Sequence, residues 1–205
     1  MLLVIDTATA ACSIALIDGD AVIDERHELV GRGHAERLLP AIDALIGSRR
    51  PAGLLVDCGP GSFTGVRIGL AAAQGLAIGW NVPLAGYSSM ALLAAGVQDD
   101  EVAAALQAGH GQLFVQSYGR DPLAPLDPLR SLPPAEAARC ISAHIVVGSG
   151  AEALVAARGY GIAVDALPRA ADVRHLPEPL RSLPPRPIYG RAPDARPMAS
   201  PEGAH

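Results

Sequence analysis

The segment 59–69, which reads GPGSFTGVRIG, limits the possible folds of this 205-residue chain more than any other stretch does. Its first three residues are typical of a tight turn, and Ser62 is a residue type that caps helices by accepting a hydrogen bond from a backbone N–H group. The apolar periodicity that follows predicts a helix over residues 64–79. The sequence therefore predicts a glycine-rich turn that leads directly into a helix built largely from small residues.

Two apolar stripes run along this predicted helix. One contains Gly65, Ile68, Gly69, Ala72, Gly75, Leu76 and Gly79, and the other contains Val66, Leu70, Ala73 and Ala77. Each glycine inside a helix costs about 1 kcal/mol relative to alanine, so this many glycines indicate close approach by another helix. One stripe can cover the protein's own sheet, and the other then predicts a partner. The alternative is a central helix that is buried completely inside its own lobe.

The first half of the chain alternates between strand-like apolar runs and segments with helical spacing. The turn Asp18-Gly19-Asp20 predicts a hairpin, and the first three strands are expected to be antiparallel. Pro40 predicts either a kink in the first helix or the true first turn of that helix. The predicted strands are residues 2–5, 12–17, 21–28, 53–58 and 82–87, and the predicted helices are residues 34–46, 64–79 and 88–95.

The second half predicts a smaller lobe. Strands are expected at residues 102–108, 112–118 and 145–147. The segments 121–134 and 168–187 are rich in proline and are expected to be loops. We therefore expect an N-terminal lobe over residues 1–97, a reduced C-terminal lobe over residues 98–196 and a disordered tail over residues 197–205.

The charge balance argues against direct binding of nucleic acid. The chain has 16 basic and 21 acidic residues, which gives a net charge of −5. Contact with RNA would need a partner's basic surface. The first apolar run has no basic leader and is interrupted by Asp6, so we expect no secretory signal, no membrane span and a cytoplasmic location. Cys12, Cys58 and Cys140 are widely spaced and are expected to be reduced.

The turn after the first strand, within the sequence IDTAT, carries the residues best suited to contact phosphate. An acid at the end of a buried strand, followed by a turn with hydroxyl groups, is typical of several ATP-using folds. The pattern predicts Asp6, Thr7 and Thr9 as a vestigial cofactor-binding turn. The alternative is a hairpin in which these side chains bond to the neighbouring backbone.

Other catalytic patterns are missing from the sequence. The glycine-rich loop lacks the lysine of a Walker motif, because Val66 and Arg67 follow Gly65. The histidines have no spacing typical of metal ligands, and no Gly-x-Ser-x-Gly nucleophile elbow is present. We therefore expect no catalytic residue and no metal ligand in this chain, and we interpret Ser62 as a helix cap.

Four segments resemble the TsaB (YeaZ) family, which belongs to the bacterial machinery that installs threonylcarbamoyladenosine in tRNA, at the adenosine 3′ of the anticodon. They are IDTAT with ACSIAL in residues 5–16, the helix start from His34 to Pro40, segment 59–69 with the AAAQGLA that follows, and Pro187-Ile188-Tyr189 with Arg191. The resemblance implies a two-lobed α/β fold of the actin, sugar-kinase and heat-shock ATPase type, with a shortened second lobe. It also implies a non-catalytic accessory subunit.

The resemblance implies partners as well. The related, metal-containing subunit TsaD would transfer the threonylcarbamoyl group and would pack against the first two helices, and the ATPase TsaE would join the pair. This chain would meet tRNA only through the complex, and a homodimer is an alternative for the free chain. ATP or ADP and the metal are expected on the partner subunits, with none bound tightly by this chain alone. The expected interface residues are Leu38, Ile42, Leu45, Gly65, Ile68, Gly69, Ala72, Gly75 and Leu76.

One departure from the family pattern lies in the second-lobe hairpin, where Asp-Ala-Arg would precede the glycine. This chain has Gln107-Ala108-Gly109 instead, which removes charge that could contact a ligand or a partner. Two other function classes stay open. An ATP-dependent, kinase-like phosphotransferase of the same fold predicts tight ATP binding by the isolated chain, and a peptidase needs a metal or a nucleophile.

Overall fold

The computed structural model describes residues 1–190 of the chain, which form two lobes around two β-sheets. The predicted tail at residues 197–205 and the Arg191 of the family resemblance lie outside the described residues. None of the helices within residues 1–190 has the length and apolar character needed to cross a membrane.

The first lobe contains a five-stranded sheet in the order β3-β2-β1-β4-β5. The first three strands are antiparallel, as the sequence predicts, and β4 and β5 run parallel to β1. The strands are β1 (Leu2–Asp6), β2 (Ala11–Asp18), β3 (Ala21–Leu29), β4 (Gly53–Asp57) and β5 (Leu84–Tyr87). The helices are α1 (His34–Ile46), α2 (Phe63–Trp80) and α3 (Ser89–Ala95).

Both faces of the central strand β1 are covered. Leu3 and Ile5 of β1 pack in one core with α1 and α2, whereas Val4 packs in a second core with α3 and the other lobe. This alternation is the pleat of a strand that is buried on both sides, and it explains why β1 reads as a continuous apolar run. Pro40 lies inside α1 rather than in its first turn, on an exposed part of the helix.

The second lobe contains a six-stranded sheet in the order β11-β10-β6-β7-β8, with β9 also paired to β7. Helices α4 and α5 pack on the sheet through a small core that includes Ala103, Val115 and Leu154. The strands are β6 (Glu101–Gly109), β7 (Gln112–Gly119), β8 (Ala124–Pro125), β9 (Arg130–Leu132), β10 (Ile145–Val147) and β11 (Ile162–Val164). The helices are α4 (Pro134–Cys140) and α5 (Ala151–Arg158).

The structure corrects the prediction of two proline-rich loops. Segment 121–134 contains β8, β9 and the start of α4, and segment 168–187 contains two 3-10 helices, Ala170–His175 and Glu178–Leu180. Two of the prolines lie at element ends, where they do not break backbone hydrogen bonding. Pro125 ends a two-residue strand, and Pro134 is the first residue of α4. Proline content was therefore a poor guide to these short elements.

Residues 170–190, the return segment, lead back to the first lobe. The backbone N–H of Ala170 donates to the Ser13 hydroxyl at 2.9 Å, Leu183 and Gly86 form an antiparallel bridge, and the Ile188 N–H donates to the Cys58 carbonyl at 2.8 Å. The predicted C-terminal lobe, residues 98–196, therefore includes a stretch that packs on the N-terminal one. This stretch brings Ile188 and Tyr189 to the start of α2.

Candidate functional site

The start of α2 closes the β1–β2 turn, residues 7–10. The Thr7 hydroxyl donates to the Gly65 carbonyl at 2.7 Å, and the Ser62 N–H donates to the Ala8 carbonyl at 2.6 Å. A Cβ added at Gly65 would overlap the Thr7 carbonyl, and one at Gly61 would overlap the Ala8 carbonyl. These two glycines are needed because the two backbones approach so closely.

The predicted Ser62 cap is confirmed at the same place. Helix α2 begins at Phe63, and the Ser62 hydroxyl accepts a hydrogen bond from the Gly65 N–H at 3.2 Å. The cap fixes the direction in which the helix leaves the glycine-rich turn.

Asp6 accepts a hydrogen bond from the neighbouring Ala8 N–H at 3.3 Å, as the hairpin alternative expects, whereas the Thr7 hydroxyl donates to Gly65, which is distant in sequence. Both side chains are buried, and their polar atoms bond to neighbouring groups of the protein. Thr9 is partly exposed, and its hydroxyl accepts from the Ala11 N–H at 3.3 Å. Of the predicted cofactor-binding turn, only Thr9 therefore reaches a cavity in this conformation.

A buried pair of carboxyl groups lies beneath the turn. Asp6 and Asp57 end the neighbouring parallel strands β1 and β4. The Tyr87 hydroxyl lies 3.3 Å from the Asp6 carboxylate, and Asp57 accepts hydrogen bonds from the Gly59 N–H at 2.8 Å and the Ser89 hydroxyl at 2.6 Å. Asp57 therefore holds both the glycine-rich turn and the start of α3.

The surroundings of this pair favour protonation. Burial, and then the charge of Asp57, raises the pKa of Asp6 well above its usual value. Burial also raises the pKa of Asp57, to about 6, although its hydrogen bonds from Ser89 and Gly59 oppose the change. The pair can share one proton, but its burial keeps it from contacting a substrate.

A cleft of about 870 Å³ lies between the two lobes. The β1–β2 turn and the start of α2 form one wall, the β6–β7 hairpin and Ser149 form the other, and the return segment closes one side. Arg67 is the one charged residue among the described residues that line it. The lining also includes Thr9, Ser62, Phe63, Val66, Gln107, Phe114, Ile188 and Tyr189.

The hairpin that departs from the family pattern borders this cleft. Gly109, His110 and Gly111 all have positive φ at its tip. Gln107 donates from its side-chain amide to the Ser149 carbonyl at 3.3 Å. A neutral amide therefore stands here, bonded to its own lobe.

The predicted partner-contact residues divide into two groups. Leu38, Ile42, Leu45, Gly65 and Gly69 are buried within the first lobe. A Cβ at Gly69 would lie 2.5 Å from the Thr7 hydroxyl, so this glycine faces the closed turn rather than a partner. None of these five expected interface residues is therefore exposed on the first lobe. The remaining members, Ile68, Ala72, Gly75 and Leu76, are partly or fully exposed.

Helix α2 has one covered face and one free face. The stripe that contains Val66, Leu70, Ala73 and Ala77 packs on the sheet. The alternative of a helix buried on all sides is wrong, because Ala71, Gly75 and Gly79 are exposed and Ile78 is 82% exposed. We call Ala71, Gly75, Ile78 and Gly79 the free face of α2.

Several features of this region escaped the sequence analysis. Asp57 follows an apolar strand just as Asp6 does, so the same signal was available for both. Tyr87 and Ser89 gave no local sign of their buried hydrogen bonds. Within residues 1–190, no group of three or more His, Cys, Asp or Glu residues is placed to hold a metal ion.

In sequence, the chain is similar to proteins named for the synthesis of threonylcarbamoyladenosine in tRNA. Residues 26–121 match the family described as TsaD, tRNA N6-adenosine threonylcarbamoyltransferase. The tRNA threonylcarbamoyladenosine biosynthesis protein TsaB of Escherichia coli K12 is 39% identical over 129 residues, which cover 58% of this chain and 55% of that protein. The chain thus spans about half the length of the curated TsaB relatives that it matches.

Solved structures extend the likeness to nearly the whole chain. YeaZ from Pseudomonas aeruginosa has a TM-score of 0.78 and 29% identity, with 92% of this chain and 98% of that chain covered. The ethanolamine utilization protein EutJ from Carboxydothermus hydrogenoformans has a TM-score of 0.50 and 12% identity, over 85% of this chain and 89% of its own, which is a likeness of fold alone.

The chain is a two-lobed α/β protein with the actin-like fold of the sugar-kinase and heat-shock ATPases and a reduced second lobe. The β1–β2 turn is closed here by α2. Within this class the chain is similar to the TsaB (YeaZ) proteins.

Proposed function

We propose that this chain is a non-catalytic accessory subunit in the synthesis of threonylcarbamoyladenosine in tRNA, and that it docks to and activates a catalytic TsaD subunit. The observation that carries the proposal is the free face of α2. A Cβ at Gly75 or Gly79 would meet no atom of the described chain within 4 Å, and Ile78 is 82% exposed beside them. An apolar surface with such small residues fits a closely crossing helix.

Helix α1 extends this surface. It packs beside α2, and its Leu39 side chain is 51% exposed. The buried residues Leu38, Ile42 and Leu45 anchor α1 to the sheet and so hold its outer face in place. Two helices presented on one side of a rigid lobe can pack with two helices of a partner, and such docking would shift the partner towards its active conformation.

The non-catalytic part of the proposal is supported by the closed turn. Asp6 and Thr7 are buried and bond within the protein, so of the three residues best suited to contact phosphate only Thr9 reaches the cleft. ATP or ADP and a metal would then belong to the partner subunits, and TsaE and tRNA would join through the complex, in the cytoplasm. The kinase-like alternative needs this turn to be open and predicts tight ATP binding by the chain alone.

The test combines purified chain with TsaD from the same organism and measures complex formation and threonylcarbamoyl transfer to tRNA. We expect activity from the mixture and none from this chain alone. Gly75→Leu should reduce complex formation at least tenfold, because its side chain would occupy the space of the approaching helix. Ala156→Leu, at an exposed position of α5, is the matched control and should assemble normally.

Three results would contradict the proposal. Transfer by this chain without TsaD would show that it is catalytic, and tight ATP binding without any complex would favour the kinase-like alternative. Normal assembly of a folded Gly75→Leu variant would exclude the free face of α2 as the interface. Size-exclusion chromatography of the free chain also shows whether the same substitution disrupts a homodimer.

A further inference from the structure

Two aromatic rings and one arginine form an exposed cluster at the mouth of the cleft between the lobes. Phe63 is 66% exposed and Tyr189 is 58% exposed, although both are large side chains. Their ring centroids lie 6.4 Å apart, with an angle of 35° between the planes. Arg67 contacts both, with its Cζ 3.2 Å from the Phe63 ring centroid and 5.5 Å from that of Tyr189.

Hydrogen bonds hold the arginine in this position. One terminal nitrogen donates to the Phe63 carbonyl at 3.2 Å, and the other donates to the Tyr189 hydroxyl at 2.7 Å. A guanidinium group has five N–H donors, so others remain that have no acceptor among residues 1–190. The cluster therefore presents a fixed positive charge with free donors, flanked by apolar rings.

The other lining residues of the cleft that the structure describes are neutral and mostly apolar. The cleft volume of about 870 Å³ is in the range of small-molecule sites. Arg67 is the one charged residue of the described lining, in a chain whose net charge is −5. A ligand that suits this composition has one anionic group and a flat apolar body.

We propose that the cleft mouth binds a small anion that carries a planar aromatic ring. The ring would pack against Phe63 and Tyr189, and a carboxylate or phosphate group would accept hydrogen bonds from Arg67. This site uses the start of α2 and the return segment, and it does not use the free face of α2. It is independent of the docking proposed above.

Binding is measured on the isolated chain by calorimetry and NMR titration. The probes are adenosine monophosphate and indole-3-acetate, each with a ring and an anion, and adenosine and inorganic phosphate, each with one of the two. We expect at least one of the first two to bind tenfold more tightly than either of the others. Which of them binds identifies the preferred combination of ring and anion.

Two variants assign the binding to the cluster. Arg67→Met should weaken binding about tenfold or more, because it removes the charged donor, and Phe63→Leu should weaken it severalfold. Arg26→Met, at an exposed position of β3 outside the cleft, is the matched control and should bind like the wild type. Thermal unfolding verifies that each variant is folded.

The proposal fails if both complete probes bind no more tightly than adenosine or phosphate. It also fails if Arg67→Met binds as well as the wild type, or if the amide signals of Phe63, Arg67 and Tyr189 do not shift during the titration.

Discussion

Replacement of Asp57 by asparagine tests the buried carboxyl pair. The Asp57 side chain accepts from the Gly59 N–H and the Ser89 hydroxyl, and the Ser89 hydroxyl also lies 3.2 Å from the Pro60 carbonyl. An asparagine can keep the first bond through its oxygen. Its NH₂ group can donate to the Ser89 oxygen while the Ser89 hydroxyl donates to Pro60. Asp57→Asn therefore mimics the protonated acid with little change in shape.

The expected change in the free energy of unfolding follows from the pKa of Asp57. Burial raises this pKa from 3.8 to about 6, and two pKa units correspond to about 3 kcal/mol of unfolding free energy. Because the folded protein holds the proton more tightly than the unfolded chain, stability falls as pH rises from 3.8 to about 6 and is level above that. The neutral asparagine avoids this loss. We expect Asp57→Asn to stabilise the protein by about 1–3 kcal/mol at pH 7.5, after allowance for weaker hydrogen bonds.

The assay is urea unfolding of both proteins at pH 4.5, 5.5, 6.5 and 7.5. The stability advantage of Asp57→Asn should grow with pH and then level off. Asp99→Asn, in an exposed loop, is the control and should change stability by less than about 0.5 kcal/mol at every pH. A constant difference between Asp57→Asn and the wild type, or a loss of stability at pH 7.5, would refute the assignment of Asp57 as a costly buried charge.

Three further predictions concern the contact between α2 and the β1–β2 turn, and urea unfolding checks each of them. Gly69→Leu should destabilise the fold by about 3 kcal/mol or more, because its Cβ would lie 2.5 Å from the Thr7 hydroxyl. Gly75→Leu faces open space and should be neutral or slightly stabilising, so equal losses at the two positions would contradict this geometry. Thr7→Val should lose about 1–3 kcal/mol, because the buried Gly65 carbonyl would lose its 2.7 Å donor, whereas Thr64→Val at an exposed position should be near neutral. Ser62→Ala should lose about 1 kcal/mol as the N-cap of α2, and no loss relative to Ser48→Ala in an exposed loop would exclude that role.

The first lobe could be predicted because its local signals are strong. The range of α1 is the predicted one, and the predicted bounds of β1, β2, β3 and α2 are within one residue of those observed. Long apolar runs, clear helical spacing and turn residues agree with one another in this half. In the second lobe, α4 and α5 have seven and eight residues and many alanines, so their periodicity was too short to identify.

The candidate site could be predicted only in part, because its contacts join distant residues. Arg67 and Tyr189 are 122 positions apart, and Thr7 and Gly65 are 58 apart. Helical spacing places residues on stripes, but it does not say which stripe faces the sheet. The glycine stripe was therefore treated as one surface, although its first members are enclosed and its later members are open.

The glycines of α2 therefore form two groups, and the presence of glycine has a different physical explanation in each group. Gly65 and Gly69 lie against Thr7, and there the missing side chain lets the helix close the β1–β2 turn. Gly75 and Gly79 lie two to three turns further on, where no part of the described chain approaches them, and alanine there would be more stable by about 1 kcal/mol each. The first pair is explained by the fold of this chain alone, whereas the second is not. A closely packed partner helix would explain it, and Gly75→Ala should then stabilise the free chain while it weakens assembly with TsaD.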